Sequence, residues 1–312
     1  LLIHAFGWRS IFTINLPIGV IGILLASRLL RPDSPVANNE RFDLPGALAL
    51  LSSLTALLLA LSRGEAWGWS STPTVGLFAL FLASLILFIR IEMRVPHPTM
   101  DLSLFRNRLF SAASSSAVIS YMAIATVTFV MPFYLQHVRG YTTAQMGLML
   151  TVVPLTMVVV SPISGWISDR IGSRILSSAG MASVAVALFL LRGLHPESTP
   201  AEITVRLILV GLGNGLFTSP NSSAIMGAVP PQRLGVASGM ISTVRTVGMV
   251  MGIALAGAVI ALRSGQLIDA GIAPDDTFGV ALKSAFLVAG GIATAGIIPS
   301  LVRGREARRA PR

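Results

Sequence analysis

The sequence predicts an all-α fold, a polytopic bundle of about nine membrane-spanning helices. Three observations carry this expectation. Of 312 residues, 53% are hydrophobic and 12% charged. A soluble domain carries about 25% charged residues, so this chain has too little polar surface to solvate a globule. Apolar stretches of about 20 residues, the length that crosses a bilayer, recur along the chain and are separated by short connections. None of them shows the alternation of a barrel strand, and each is far longer than one.

The predicted spans are residues 11–30, 44–62, 73–91, 111–135, 144–166, 175–192, 203–226, 236–262 and 280–302. The longest connection, Arg90 to Phe110, contains Pro96 and Pro98, which disfavour helix. Its second part, Asp101 to Arg108, is expected to form a short surface helix. Trp67 and Trp69 lie in the connection Arg63–Thr72, where Trp commonly anchors a span at the interface.

Charge sets the expected orientation. Alternate connections hold Arg28, Arg31, Arg41, Arg90, Arg94, Arg106, Arg108, Arg170, Arg174, Arg233 and the tail Arg303 to Arg312. The opposite set holds only Arg9, Arg63, Arg139, Arg192 and Arg263. The positive-inside rule then places the first set, and the C-terminus, in the cytoplasm of a multi-pass protein of the cell membrane. The net charge of +10 is scattered over short connections and forms no continuous basic face, so no nucleic-acid partner is expected. The lipid bilayer is the expected surrounding.

Zero cysteines exclude a disulfide framework and thiolate metal sites. His4, His97, His137 and His195 lie at span ends or in connections and form no metal-ligand pair. No nucleophile elbow or phosphate-binding loop occurs, so an enzyme and an ATP-driven pump find no support, and no cofactor is expected.

Two segments carry functional signal. Gly165-Trp166-Ile167-Ser168-Asp169-Arg170-Ile171-Gly172-Ser173-Arg174 joins two spans. Its glycines permit a tight turn and close helix approach, and Asp169 can pair with neighbouring arginines or sit against a helix amino end. A plain charged turn is the alternative. Arg245 lies within the span 236–262, about 13 Å past Val236 at 1.5 Å per residue. An arginine at that depth is expensive and is expected to face a polar cavity or a neighbouring helix. Gly211-Leu212-Gly213-Asn214-Gly215 through Pro220-Asn221 places two asparagines and several helix-loosening residues in one span. Cavity lining and internal helix–helix hydrogen bonding both fit that pattern. Pro132, Pro154 and Pro162 read as tolerated kinks, and Gly248 to Gly252 as a small-residue packing pattern.

Gly165 to Arg174 resembles the G-x-x-x-D-R-x-G-x-R loop of major facilitator superfamily transporters, with Gly165, Asp169, Arg170, Gly172 and Arg174 in the motif positions. Further segments resemble the fourteen-span drug:proton antiporter branch: Gly7-Trp8-Arg9 with Phe12 and Asn15 to Gly19, Phe42 to Gly46, Asp101 to Phe110, Tyr134-Leu135-Gln136 with Gly140-Tyr141, and Gly235 to Gly239 with Thr243, Arg245 and Gly248. Ser10 stands where many relatives carry an aromatic residue. The resemblance implies that residues 1–30 hold the last helix of an N-terminal half, 43–92 two extra spanning helices, 93–110 a cytoplasmic linker, and 111–312 a C-terminal six-helix half with a basic tail.

The chain opens on Leu1-Leu2 without an initiator methionine or a signal-peptide pattern. By the resemblance, five N-terminal helices are then expected to be missing. The implied function is proton-coupled export of small hydrophobic or cationic molecules, with Arg245, Asn214, Asn221 and Gln136 at the cavity or coupling site. A remnant of a truncated transporter gene, or an exporter of one specific metabolite, is the alternative. All thirteen acids lie outside the span centres, with Asp43 at a span start and Glu202 at a span end. A coupling acid is therefore expected in the missing helices.

Overall fold

The helices begin where local chemistry stops the preceding chain. The computed structural model describes Arg9, Thr13 and residues 15–29, 43–95, 102–230, 233–272 and 274–302. Its helices are α1 (Asn15–Leu29), α2 (Leu44–Trp67), α3 (Thr72–Glu92), α4 (Arg108–Phe133) and α5 (Thr143–Ile171). They continue with α6 (Ser173–Arg192), α7 (Pro200–Gly227), α8 (Leu234–Asp269) and α9 (Pro274–Leu301). A 3-10 turn, Leu102–Arg106, precedes α4, and a π turn, Tyr134–Val138, follows it. No strand occurs among the described residues.

Side chains cap these helices where they satisfy free backbone N–H groups. Asp43 Oδ1 accepts from Gly46 N at 2.9 Å to start α2, and Asn107 Oδ1 accepts from Leu109 N at 2.9 Å to start α4. Thr142 and Gln145 form a reciprocal capping box on α5. Thr199 caps α7, followed by Pro200 in the first turn.

Eight helices among the described residues are long and apolar enough to cross a membrane. The first predicted span, 11–30, falls partly outside the described residues, and α1 at 15 residues is shorter than a full span. The sequence underestimates α5 and α8. The last turns of α5 carry Asp169 and Arg170, and α8 runs on past Arg263 to Asp269. Charge at a helix end lowers hydropathy without stopping the helix. At 36 residues α8 is about 54 Å long, so it must tilt or project beyond a hydrocarbon core of about 30 Å. The expected surface helix from Asp101 to Arg108 is the 3-10 turn plus the first residue of α4, and Asp101 lies outside the described residues, as do Pro96, Pro98 and the tail 303–312.

Helices α4 to α9 form one six-helix bundle, in which α7 packs between α5 and α6. Gly211 abuts Val153 and Thr156 of α5, and Gly215 abuts Val160. Gly213 lies on the other side against Gly180 and Val184 of α6. Ser164 of α5 donates to the Gly215 carbonyl at 3.0 Å, and Ser183 of α6 donates to the Leu209 carbonyl at 3.2 Å. Helix α8 meets α4 the same way, with Gly248 and Gly252 against Val118 and Met122. Helix α9 lies behind, with Gly296 on Ile119 of α4 and Ser300 bonded to Ser178 of α6 at 3.0 Å. The hairpin of α2 and α3 is joined by Ser52 and Ser84, 3.2 Å apart, and α2 packs on α8.

A methyl group at Gly180 would lie 2.6 Å from the Gly213 carbonyl oxygen, and one at Gly213 would lie 2.8 Å from the Gly180 carbonyl oxygen. Gly180→Ala and Gly213→Ala should each destabilise the protein by about 1–3 kcal/mol. A methyl group at Gly291 would meet no neighbouring helix within 4 Å, and Gly291→Ala should stabilise its helix by up to about 1 kcal/mol. Thermal unfolding in detergent measures both signs.

Candidate functional site: the front face of the bundle and the Gly172 turn

Two places bring the sequence-derived candidates into the structure. The first is the junction of α5 and α6. Helix α5 continues through Ile171, so Gly165, Asp169 and Arg170 are helical and the connection is one residue, Gly172. The expected ten-residue loop is therefore two helix ends meeting at a single glycine. Gly172 has φ +89°, in the left-handed region that favours glycine, and its N–H bonds to the Ser168 carbonyl at 2.8 Å. Gly165 performs a different task. A Cβ there would meet the Ser219 hydroxyl of α7 at 2.7 Å, so its absence lets α5 and α7 close together.

The charges of this segment lie outside that packing. Asp169, Arg170 and Arg174 are exposed. The Arg170 guanidinium stacks on the Trp166 ring at 3.7 Å from its centroid, a cation–π contact one helical turn back. Asp169 has no hydrogen bond or ion pair among the described residues. At the same end of the bundle, α8 begins at Leu234 with no side-chain cap on its amino terminus.

The second place is the joint between α4 and α8, on the side turned away from α9. Ile119 of α4 abuts α9. Tyr121, two residues on, points to the opposite side, because each residue advances a helix by about 100°. On α8 the buried Val244 faces the packed interior, and Arg245 is turned about a quarter circle from it and is exposed. Gly248 lies about one helical turn beyond Arg245, and a Cβ at Gly248 would lie 2.8 Å from the Tyr121 Cβ. Tyr121 was not among the sequence-derived candidates. The polar run Ser114, Ser115, Ser116, Ser120 and Tyr121 within an otherwise apolar span was the available signal.

The remaining candidates lie elsewhere. Asn214 is 2% exposed and Asn221 3%, so both are inside the six-helix packing. Asn214 Nδ2 donates to the Val210 carbonyl of its own helix at 3.0 Å, and Ser120 of α4 donates to Asn214 Oδ1 at 3.4 Å. Gln136 is exposed in the π turn at the opposite end from Gly172. There Tyr134 donates to the His195 carbonyl at 2.7 Å, Arg139 donates to the Pro196 carbonyl, and Lys283 Nζ lies 3.4 Å from His195 Nδ1.

Residues 113–312 match the Major Facilitator Superfamily. The chain is 38% identical over 266 residues to the uncharacterized transporter YebQ of Escherichia coli (strain K12), covering 85% of this chain and 57% of that protein. It is 34% identical over 254 residues to the riboflavin transporter RibZ of Clostridioides difficile (strain 630), covering 81% of this chain and 54% of RibZ. It is also 34% identical over 261 residues to the multidrug resistance protein Stp of Mycobacterium tuberculosis (strain ATCC 25618 / H37Rv), covering 84% and 48%. The chain spans about half the length of the curated relatives it matches. With a helical bundle of membrane-spanning length and this match over most of its residues, the chain is a multi-pass membrane protein and belongs to the major facilitator superfamily.

Proposed function

We propose that the protein is a secondary active exporter of small, largely hydrophobic organic molecules, driven by protons, of the fourteen-span drug:proton antiporter branch. The observation that carries this reading is Arg245. A guanidinium deep in an apolar helix, exposed among the described residues, fits a polar path through a membrane, with bracing of neighbouring helices as the structural alternative. The α2–α3 hairpin, additional to the six-helix bundle, supports the fourteen-span branch. Relatives named as multidrug resistance or transporter proteins support the substrate class. The relative named as a riboflavin transporter favours a second reading, export of one specific metabolite.

The acids in the described residues sit at helix ends or in connections: Asp43, Glu65, Glu92, Asp169, Glu197, Glu202, Asp269, Asp275 and Asp276. A carboxylate that carries protons at depth would then come from outside the described residues. In proteoliposomes with an imposed pH gradient, the protein should move a fluorescent drug against its concentration, and the movement should stop when an ionophore collapses the gradient. Movement that persists without the gradient would overturn proton coupling, and no movement of any drug or of riboflavin would overturn the transporter reading.

The Gly172 end is proposed to face the cytoplasm, from the arginine asymmetry. The sequence has no cysteine, so single cysteines report cleanly. Ser103 and Glu197 are exposed near opposite ends of the bundle. With an impermeant maleimide, Glu197→Cys should label in intact cells and Ser103→Cys only after permeabilisation. The reverse pattern would invert the orientation.

Asp169 is proposed to dock on the uncapped amino end of α8 when the cytoplasmic side closes, because a helix amino end favours an anion. Asp169→Asn should slow turnover roughly tenfold, about 1.4 kcal/mol of barrier, while changing substrate binding less. Equal losses in both would show that the carboxylate acts on binding.

A further inference from the structure

Lys283 is the only lysine in the sequence. It stands on α9, about 14 Å from the Pro274 start, within a stretch apolar enough to cross a membrane. A lysine placed there extends its flexible stem toward polar surroundings. Its Nζ lies 3.4 Å from Nδ1 of His195, in the connection between α6 and α7. An ammonium has donors only. The contact is therefore a hydrogen bond only when Nδ1 carries a lone pair, which makes His195 neutral with its proton on Nε2.

The backbone of His195 is held on both sides. Its N–H donates to the Ser198 hydroxyl at 2.9 Å, and its carbonyl accepts from Tyr134 at 2.7 Å. Arg139 donates to the next carbonyl, that of Pro196. Leu194 and Ser198 are buried, so the connection is anchored and the imidazole is its movable part. Lys283 joins α9 to that anchored point. Of the other charged and titratable groups at this end, Tyr134 and Arg139 belong to the π turn and the residue after it, Arg192 ends α6, and Glu197 lies in the connection. Glu202 and Arg206 lie in the first two turns of α7. Across about pH 5 to 8, histidine is the side-chain type among these that changes charge. His137, in the π turn, is the second histidine here, and its ring centroid lies 6.0 Å from that of Phe133 and 5.7 Å from that of Phe278.

We infer that His195 and Lys283 form a proton-operated clasp at this end of the bundle. With His195 neutral, Nδ1 accepts from the ammonium and ties α9 to the α6–α7 connection. A proton taken up at Nδ1 fills the lone pair, ends the hydrogen bond and sets two cations beside each other, which repel. The tie is thus present at high pH and lost as pH falls. Deeper in the bundle α9 stays packed on α6, where a Cβ at Gly290 would lie 3.0 Å from the Phe189 ring. What the proton releases is the outer end of the contact. By the orientation proposed above, this end faces outside, so the clasp opens on the side from which protons enter.

A single lysine gives a single side-chain signal after labelling with 15N-lysine. In the purified protein in lipid nanodiscs, the Lys283 Nζ signal should shift between about pH 8 and about pH 5. Val280 is exposed on α9 and Pro196 is exposed in the connection. Spin labels at Pro196→Cys and Val280→Cys should move apart over the same range. His195→Gln offers an acceptor that does not titrate, so both readings should keep their high-pH values throughout. Lys283→Met should make the label distance independent of pH, and His137→Gln should leave both responses unchanged. Size-exclusion profiles matching the unsubstituted protein establish that each variant is folded. A response that survives in His195→Gln, or that His137→Gln abolishes, would belong to another group and overturn the clasp. A signal shift without a change in label distance would show that the contact titrates but holds nothing, and no pH response at all would show that it does not titrate; either sinks the idea. None of these readings involves transport, so the clasp can fail while the exporter reading stands.

Discussion

Close approach of α7 to its neighbours is the constraint on which the rest of the bundle depends. Between helices in lipid there is little hydrophobic driving force, so association comes from packing and interhelical hydrogen bonds. Gly211 and Gly215 put the backbone of α7 against α5, and Gly213 puts it against α6. Asn214, between two of these glycines, reaches α4 through Ser120. Within five residues α7 thus makes contact in three directions, which the step of about 100° per residue allows. Helix α8 is set against α4 by its own glycines, Gly248 and Gly252.

Glycine contributes a second time by exposing its carbonyl. Ser164 donates to the Gly215 carbonyl and Thr126 of α4 donates to the Gly252 carbonyl of α8. Each pair joins two helices without placing a charge in the packing. Polar groups in this protein consequently fall into two populations. Many of those inside the bundle are bonded to backbone or to one another, as Ser178 is to Ser300, whereas a buried guanidinium nitrogen of Arg206 on α7 has no hydrogen-bond partner among the described residues. Arg245 and Tyr121, on the side away from α9, are not bonded within the described residues.

The two ends of the bundle are built differently. At the Gly172 end the connection between α5 and α6 is a single residue, and the charges of that segment point away from the packing. An apolar cluster of Leu104, Phe110, Ile225, Val229, Ala237 and Met240 ties the 3-10 turn, α4, α7 and α8 together there. At the other end Tyr134 and Arg139 bind the carbonyls of the α6–α7 connection, and Lys283 of α9 approaches His195 in it. Both ends therefore hold several helices at once, so the six-helix unit is tied together at each end.

The spans from 44 to 302 were legible in the sequence, because a lipid solvent demands long apolar helices and leaves a simple hydropathy record. Arg245 was legible for the same reason, as a charge where lipid tolerates none. The helix ends were less so: Asp169 and Arg170 resemble a loop by hydropathy, yet they occupy the last turn of α5 because polar residues at a membrane surface do not break a helix. What Asn214 faces was beyond the sequence, since a polar group at mid-span fits a cavity and a helix contact equally. Tertiary packing turned it to Ser120 and buried it. The same packing set Gly248 against Tyr121, residues more than a hundred positions apart. Composition and periodicity fix which segments enter the bilayer, because each helix meets lipid on its own. Which side of each helix meets another helix depends on where glycines let backbones touch, and only the assembled bundle decides that.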